Sequence, residues 1–184
     1  MLLKNKSQLF FIAILVLVLV LVAWFTYNIY IKNNGLNSDS SAYVALSDPS
    51  GTTYTDINGN PVDLSSYLDK VLVVNSWASW SPSSATDLQT LSDISQNYSS
   101  SEVVFLAINR GEPKERASAF LKINNINTDV MLVLDKNDVF YDSIDGFSMP
   151  ETVIYNQSGD VLQHQRGNLD EFKLKSIIDS LVKS

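Results

Sequence analysis

The 184-residue chain contains no cysteine. Disulfides, thiolate metal sites, iron–sulfur clusters and thiol catalysis are excluded together, because each depends on a sulfur that can act as a thiolate. Histidine is nearly absent as well: His164 stands alone, so no His-rich metal cluster can form. Acidic residues are missing from the first 34 positions, where Lys4, Lys6 and Lys32 flank an apolar run. All 20 acidic residues come later, against 10 basic ones, a formal charge of −10 on that part of the chain. A surface so acidic repels nucleic-acid phosphates and anionic lipid heads. Nucleic-acid binding is not expected, and no motif calls for a metal or a cofactor.

What the early part does contain is 17 consecutive apolar residues, Leu9 to Phe25, with the apolar character continuing to Ile31. As a helix, positions 9–31 span roughly 34 Å, enough to cross a bilayer core. Trp24, Tyr27 and Tyr30 fall near the end of the run, where amphipathic rings favour the headgroup level. The run is longer than the core of a secretory signal, and no small-residue cleavage site follows it, which favours an uncleaved anchor. Residues 1–8 then form a short cytoplasmic N-terminus, since Lys4 and Lys6 favour the inner side. Residues 32–50, rich in Ser, Asn, Asp and Gly, read as a flexible linker. The remaining 51–184 form one extracytoplasmic domain, and the protein is expected in the cell membrane as a single-pass chain.

Within that domain, strand-like and helix-like segments alternate. Thr52–Ile57 and Pro61–Leu64 flank Asn58-Gly59-Asn60, a hairpin signal. Val71–Val74 running into Asn75-Ser76-Trp77 has the continuous apolar character of a strand buried on both faces. Ala85, Leu88, Leu91, Ile94 and Tyr98 recur at helical spacing. A second buried strand is expected over Glu102–Asn109, a second helix over Pro113–Asn124, a short strand over Val130–Leu134 and a brief helix near Asp138–Ile144. Thr152–Asn156 and Val161–Gln165 pair across Gln157-Ser158-Gly159-Asp160. The last helix carries Leu174, Ile177, Ile178 and Leu181 on one stripe, with Asp170 and Glu171 at its start. The β-α-β-α opening implies parallel strands and the final hairpin antiparallel ones. The expected fold class is α/β, a mixed central sheet with helices on both faces.

Val73-Val74-Asn75-Ser76-Trp77-Ala78-Ser79-Trp80-Ser81-Pro82-Ser83-Ser84 resembles the active-site stretch of the membrane-anchored thioredoxin-like proteins of the TlpA/ResA (redoxin) type, where an apolar strand runs into Trp-Ala-x-Trp-Cys-x-x-Cys. Asp56–Leu64 resembles the opening hairpin of that family. Met149-Pro150 with Thr152–Tyr155 and Ser158-Gly159-Asp160 resembles its cis-proline loop and hairpin. The resemblance runs from about Thr52 to Val182 and implies a thioredoxin fold. It also places Ser81 and Ser84 at the positions of the nucleophilic and resolving cysteines. Asp87, three residues on, stands where many relatives carry a glutamate.

Serine cannot take over that chemistry. A thiolate attacks a disulfide and a second thiol resolves the mixed disulfide. An alkoxide is far less accessible near neutral pH, and oxygen forms no reversible S–S bond. No catalytic residue of that type is expected. The alternative the resemblance implies is a thiol–disulfide oxidoreductase whose cysteines have been replaced. From the residues themselves, Ser81 reads as a helix N-cap with Pro82 at the first helical position, and Ser84 as an ordinary first-turn residue. Asp87 reads as a solvated helix residue and Glu112 as part of a charged helix start. Arg110 and Arg166 read as surface charges, His164 as a strand histidine facing solvent, and Trp77 as core. Trp80, Pro82, Met149 and Pro150 are the candidate partner-binding residues: the resemblance implies that the backbone before a cis Pro150 offers itself to an extended peptide. The expected partner is an extracytoplasmic protein or peptide, with the membrane engaged through residues 9–31.

Overall fold

The computed structural model describes residues 12, 14–26 and 54–182. Two units are present, 1–37 and 38–184. In the first, residues 14–26 are helical and their apolar side chains are exposed. Thr26 Oγ1 donates back to the carbonyls of Val22 and Ala23 at 2.9 and 3.0 Å. No helix among the described residues is long and apolar enough to cross a membrane. The rest of the expected 9–31 span, like the 32–50 linker, lies outside the described residues.

The second unit is built on a seven-stranded sheet: β1 Tyr54–Asp56, β2 Pro61–Val62, β3 Val71–Trp77, β4 Val103–Arg110, β5 Met131–Asp135, β6 Glu151–Tyr155 and β7 Val161–Arg166. Their order across the sheet is β2-β1-β5-β4-β3-β6-β7. β3, β4 and β5 are parallel neighbours, while β6, β7, β1 and β2 join antiparallel. The helices are α1 Ser84–Ser95, α2 Lys114–Ile123, α3 Val139–Ser143 and α4 Glu171–Val182.

The layering follows from handedness. The crossovers β3-α1-β4 and β4-α2-β5 step in the same direction along the sheet, so right-handed connections place α1 and α2 on one face. Val71 and Val73 of β3 pack on that face with Leu88, Leu91, Ala117, Leu121, Leu174 and Ile178. Leu72 and Val74, pointing the other way as strand alternation requires, pack with Tyr54, Leu64, Phe140 and Tyr155. The expected mixed sheet covered on both faces is what forms, and its order is that of a thioredoxin fold. Strand and helix bounds agree with those expected to within a residue or two, except around α1: Tyr98 lies three residues beyond its end, and its start is built differently.

That exception is a correction. α1 begins at Ser84, its N-cap is Ser83, and no side chain caps it. Ser81 is therefore not the N-cap and Pro82 lies in the preceding turn, outside the helix. The Ser81 carbonyl still accepts from Ser84 N at 3.3 Å, closing a turn just before the helix. The Ser81 hydroxyl is used elsewhere.

Candidate functional site

β3 ends at Trp77, at the C-terminal edge of the parallel strands, where ligands of open α/β sheets commonly bind. Trp77 is buried as expected, its ring 5.4 Å from that of Phe120. The chain then turns through Ala78, Ser79 and Trp80 into Ser81. Ser81 is only 2 % exposed, and its Oγ donates to the Met149 carbonyl at 2.9 Å. The Met149-Pro150 bond is cis. The corner of α1 and the proline loop, 68 residues apart in sequence, are thus in direct contact. Ser84 is fully buried, its Oγ accepting from Ala78 N at 3.4 Å. Trp80 and Pro82 are exposed, Met149 is half-buried and Pro150 is buried. Phe147, two residues before Met149, is 85 % exposed, and Trp80 is 61 % exposed. No sequence feature had singled out Phe147.

Three buried carboxyl groups surround this corner, and two of them correct the sequence reading. Asp87 is not a solvated helix residue: it is 2 % exposed, and Leu169 N donates to its Oδ2 at 3.0 Å. It lies one helical turn beyond Ser84, on the same side of α1. Burial pushes its pKa up to about 6, with the Leu169 hydrogen bond working the other way. Glu112 is not a free charge at a helix start. It is 4 % exposed and holds the loop before Ser81: Ser79 N and Asn109 Nδ2 donate to Oε2, each at 2.8 Å, and Ser79 Oγ donates to Oε1 at 2.5 Å. Gly111, in the left-handed region at φ 58°, turns the chain just before Glu112.

The third carboxyl group, Glu151, was not a sequence candidate. It is fully buried beside Pro150, and its Oε1 accepts from Phe147 N at 2.7 Å and Ser148 N at 2.5 Å. Its Oε2 meets His164 Nε2 at 2.5 Å. His164 is consequently a half-buried partner of Glu151 and does not simply face solvent. Arg110 is also more than a surface charge: it pairs with Asp138 at 2.5 Å and lies 3.6 Å from the centre of the Tyr141 ring. Arg166 stays half-exposed, donating to the Asp145 carbonyl at 3.0 Å. Tyr141 in turn donates through its hydroxyl to the Ser148 carbonyl at 3.1 Å. Each wall of the corner is thus held from behind, Ser79 by Glu112 and the 147–148 segment by Glu151 and Tyr141. Among the described residues, no group of His, Asp or Glu is arranged to hold a metal ion.

A mixed sheet of this order, with a helix-start corner touching a cis-proline loop, defines a thioredoxin-like protein. The Redoxin family profile matches residues 45–181, and the chain belongs to that family. Among curated relatives, it is 27 % identical over 155 residues to the thiol-disulfide oxidoreductase ResA of Bacillus subtilis (strain 168), covering 84 % of each chain. To the ResA of Geobacillus kaustophilus (strain HTA426) it is 24 % identical, covering 90 % of this chain and 92 % of the relative. Similar solved structures include MTB dsbF, with a TM-score of 0.64 at 16 % identity, covering 75 % of this chain and 97 % of that one. A thiol-disulfide isomerase from Corynebacterium glutamicum gives 0.60 at 17 %, covering 71 % and 92 %. At those identities the structural likeness speaks for the fold alone.

Proposed function

We propose that this chain is a redox-silent member of its family that binds an extended segment of a partner protein in the groove between the Trp80–Pro82 corner and the Met149-Pro150 loop. The observation that carries the reading is the Ser81 Oγ to Met149 O hydrogen bond, which keeps the two walls together without any sulfur. Trp80 and Phe147 supply exposed apolar rings, and Met149 still has its N–H and the second lone pair of its carbonyl for strand-like hydrogen bonding to a peptide. Relatives carry the name thiol-disulfide oxidoreductase. That chemistry needs a pair of thiols, and a chain without cysteine does not inherit it. The apolar run from Leu9 to Ile31 serves as a membrane anchor in this reading, with Lys4 and Lys6 inside and the domain outside.

The test is photo-crosslinking on intact membranes with the native chain and a Trp80→Ala, Phe147→Ala variant. The native chain should capture a discrete partner and the variant should lose most of it. Equal capture by both would remove this groove from consideration.

A further inference from the structure

At the end of the sheet remote from Ser81, β5 starts late. Met131 pairs with Leu106, so Val103–Phe105 of β4 has β3 on one side and, among the described residues, no strand on the other. The step leaves a cavity of about 410 Å³, within the roughly 300–1,000 Å³ usual for small-molecule sites. Its walls are largely aromatic and apolar, with Tyr67, Tyr98, Phe105 and Met131 contributing. The rings of Tyr98 and Phe105 lie 6.0 Å apart. The polar ends of both tyrosines are already engaged: Tyr67 donates to Met131 Sδ at 3.1 Å and Tyr98 to Asp179 at 2.9 Å.

One cation lines the same cavity. Lys70 Nζ donates to the Ser100 carbonyl at 2.9 Å and has no carboxyl partner within ion-pair distance among the described residues. An ammonium carries three donors, so two remain for a ligand. In a domain this acidic, a lysine without an ion-pair partner at the side of a largely apolar cavity favours an anionic ligand. It suits a carboxylate attached to a flat apolar body. Asp129, exposed and lining the same opening, repels any negative charge that does not rest on Lys70, which limits the ligand to one carboxylate held at the lysine.

From these residues we infer that the cavity is a binding site for a small aromatic monocarboxylate, its ring between Tyr67, Phe105 and Met131 and its carboxylate on Lys70. The site sits at the opposite end of β3 from the serine corner, on the order of 20 Å along a seven-residue strand. It is independent of the groove and of what the groove holds.

Benzoate titrated into the full chain in detergent micelles, followed by NMR of backbone amides and the Met131 methyl, tests it. Saturable shifts are expected at Lys70, Phe105 and Met131. Benzyl alcohol, with the same ring and no charge, should bind about tenfold more weakly, as loss of a charge-assisted hydrogen bond implies. Lys70→Gln should weaken benzoate by a similar factor and leave benzyl alcohol unchanged. Met131→Trp, which fills the cavity, should abolish both. The inference is overturned by absence of saturable binding at millimolar benzoate, by equal affinity for the acid and the alcohol, by indifference to Lys70→Gln, or by shifts centred on Trp80 and Met149.

Discussion

The middle of the sheet and the polar groups that hold the corner around Ser81 are both buried, but they are stabilised by different means. Val71, Leu72, Val73 and Val74 alternate between two apolar layers and need only neighbours of the right size. The corner is held by hydrogen bonds that converge on carboxyl groups: Glu112 on the Ser79 loop, Glu151 on the 147–148 segment, and Asp87 reaching Leu169 beneath α1. An apolar layer tolerates substitutions that conserve volume. A buried acceptor has no such slack, because removing it leaves its donors without water or partner. The corner should therefore be the more brittle region, although it contains no cysteine.

Glu112→Ala should do the most damage to the corner. It strands Ser79 N and leaves Asn109 Nδ2 only its longer bond to the Trp77 carbonyl, and should cost about 3 kcal/mol in chemical denaturation. Glu112→Gln, which keeps one acceptor oxygen, should recover part of that loss.

Asp87 makes the stability of the corner depend on pH. Its folded pKa, about 6, lies above the ordinary 3.8. The folded state therefore holds this proton more tightly than the unfolded chain, and stability falls as pH rises from about 4 through 6. A shift of that size corresponds to the order of 3 kcal/mol. Asp87→Asn should be the more stable protein at pH 7 and should flatten this part of the profile, measured by denaturation at stepped pH. A slope unchanged by the substitution would contradict the assignment.

Gly146→Ala probes the second wall by volume alone. A methyl group there would lie 2.4 Å from the Tyr141 ring, and Tyr141 positions Ser148 through its hydroxyl. A loss of about 2 kcal/mol in thermal or denaturant unfolding is expected. Trp80→Ala is the smallest effect: with the ring 61 % exposed, stability should change by no more than about 0.5 kcal/mol while partner capture falls.

The contrast also explains what could be read from the sequence. Apolar runs and helical spacing mark β3, β4, α1 and α4, since those elements are shaped by burial of their own side chains. The contact of Ser81 with Met149 followed from resemblance alone, because 68 residues separate the two. Asp87 and Glu112 looked solvated for a common reason. Acids in a helical turn or beside lysine and arginine usually are, and only packing by distant segments buries them. Glu151 left a usable sign: an acid at the edge of a strand expected to be buried must find partners, and His164 on the neighbouring strand was available. Ser81 resembles a cap in the sequence because Ser-Pro often begins helices. Here the hydroxyl donates across the corner, and the helix starts three residues later.

The frame is intact, and serine oxygen stands where the family carries sulfur. Insulin-disulfide reduction by the full chain, measured beside its Ser81→Cys, Ser84→Cys variant, tests this most directly. The native chain should match the protein-free rate and the double variant should exceed it. Turnover by the native chain, or a folded double variant that is as inert as the native one, would contradict the account.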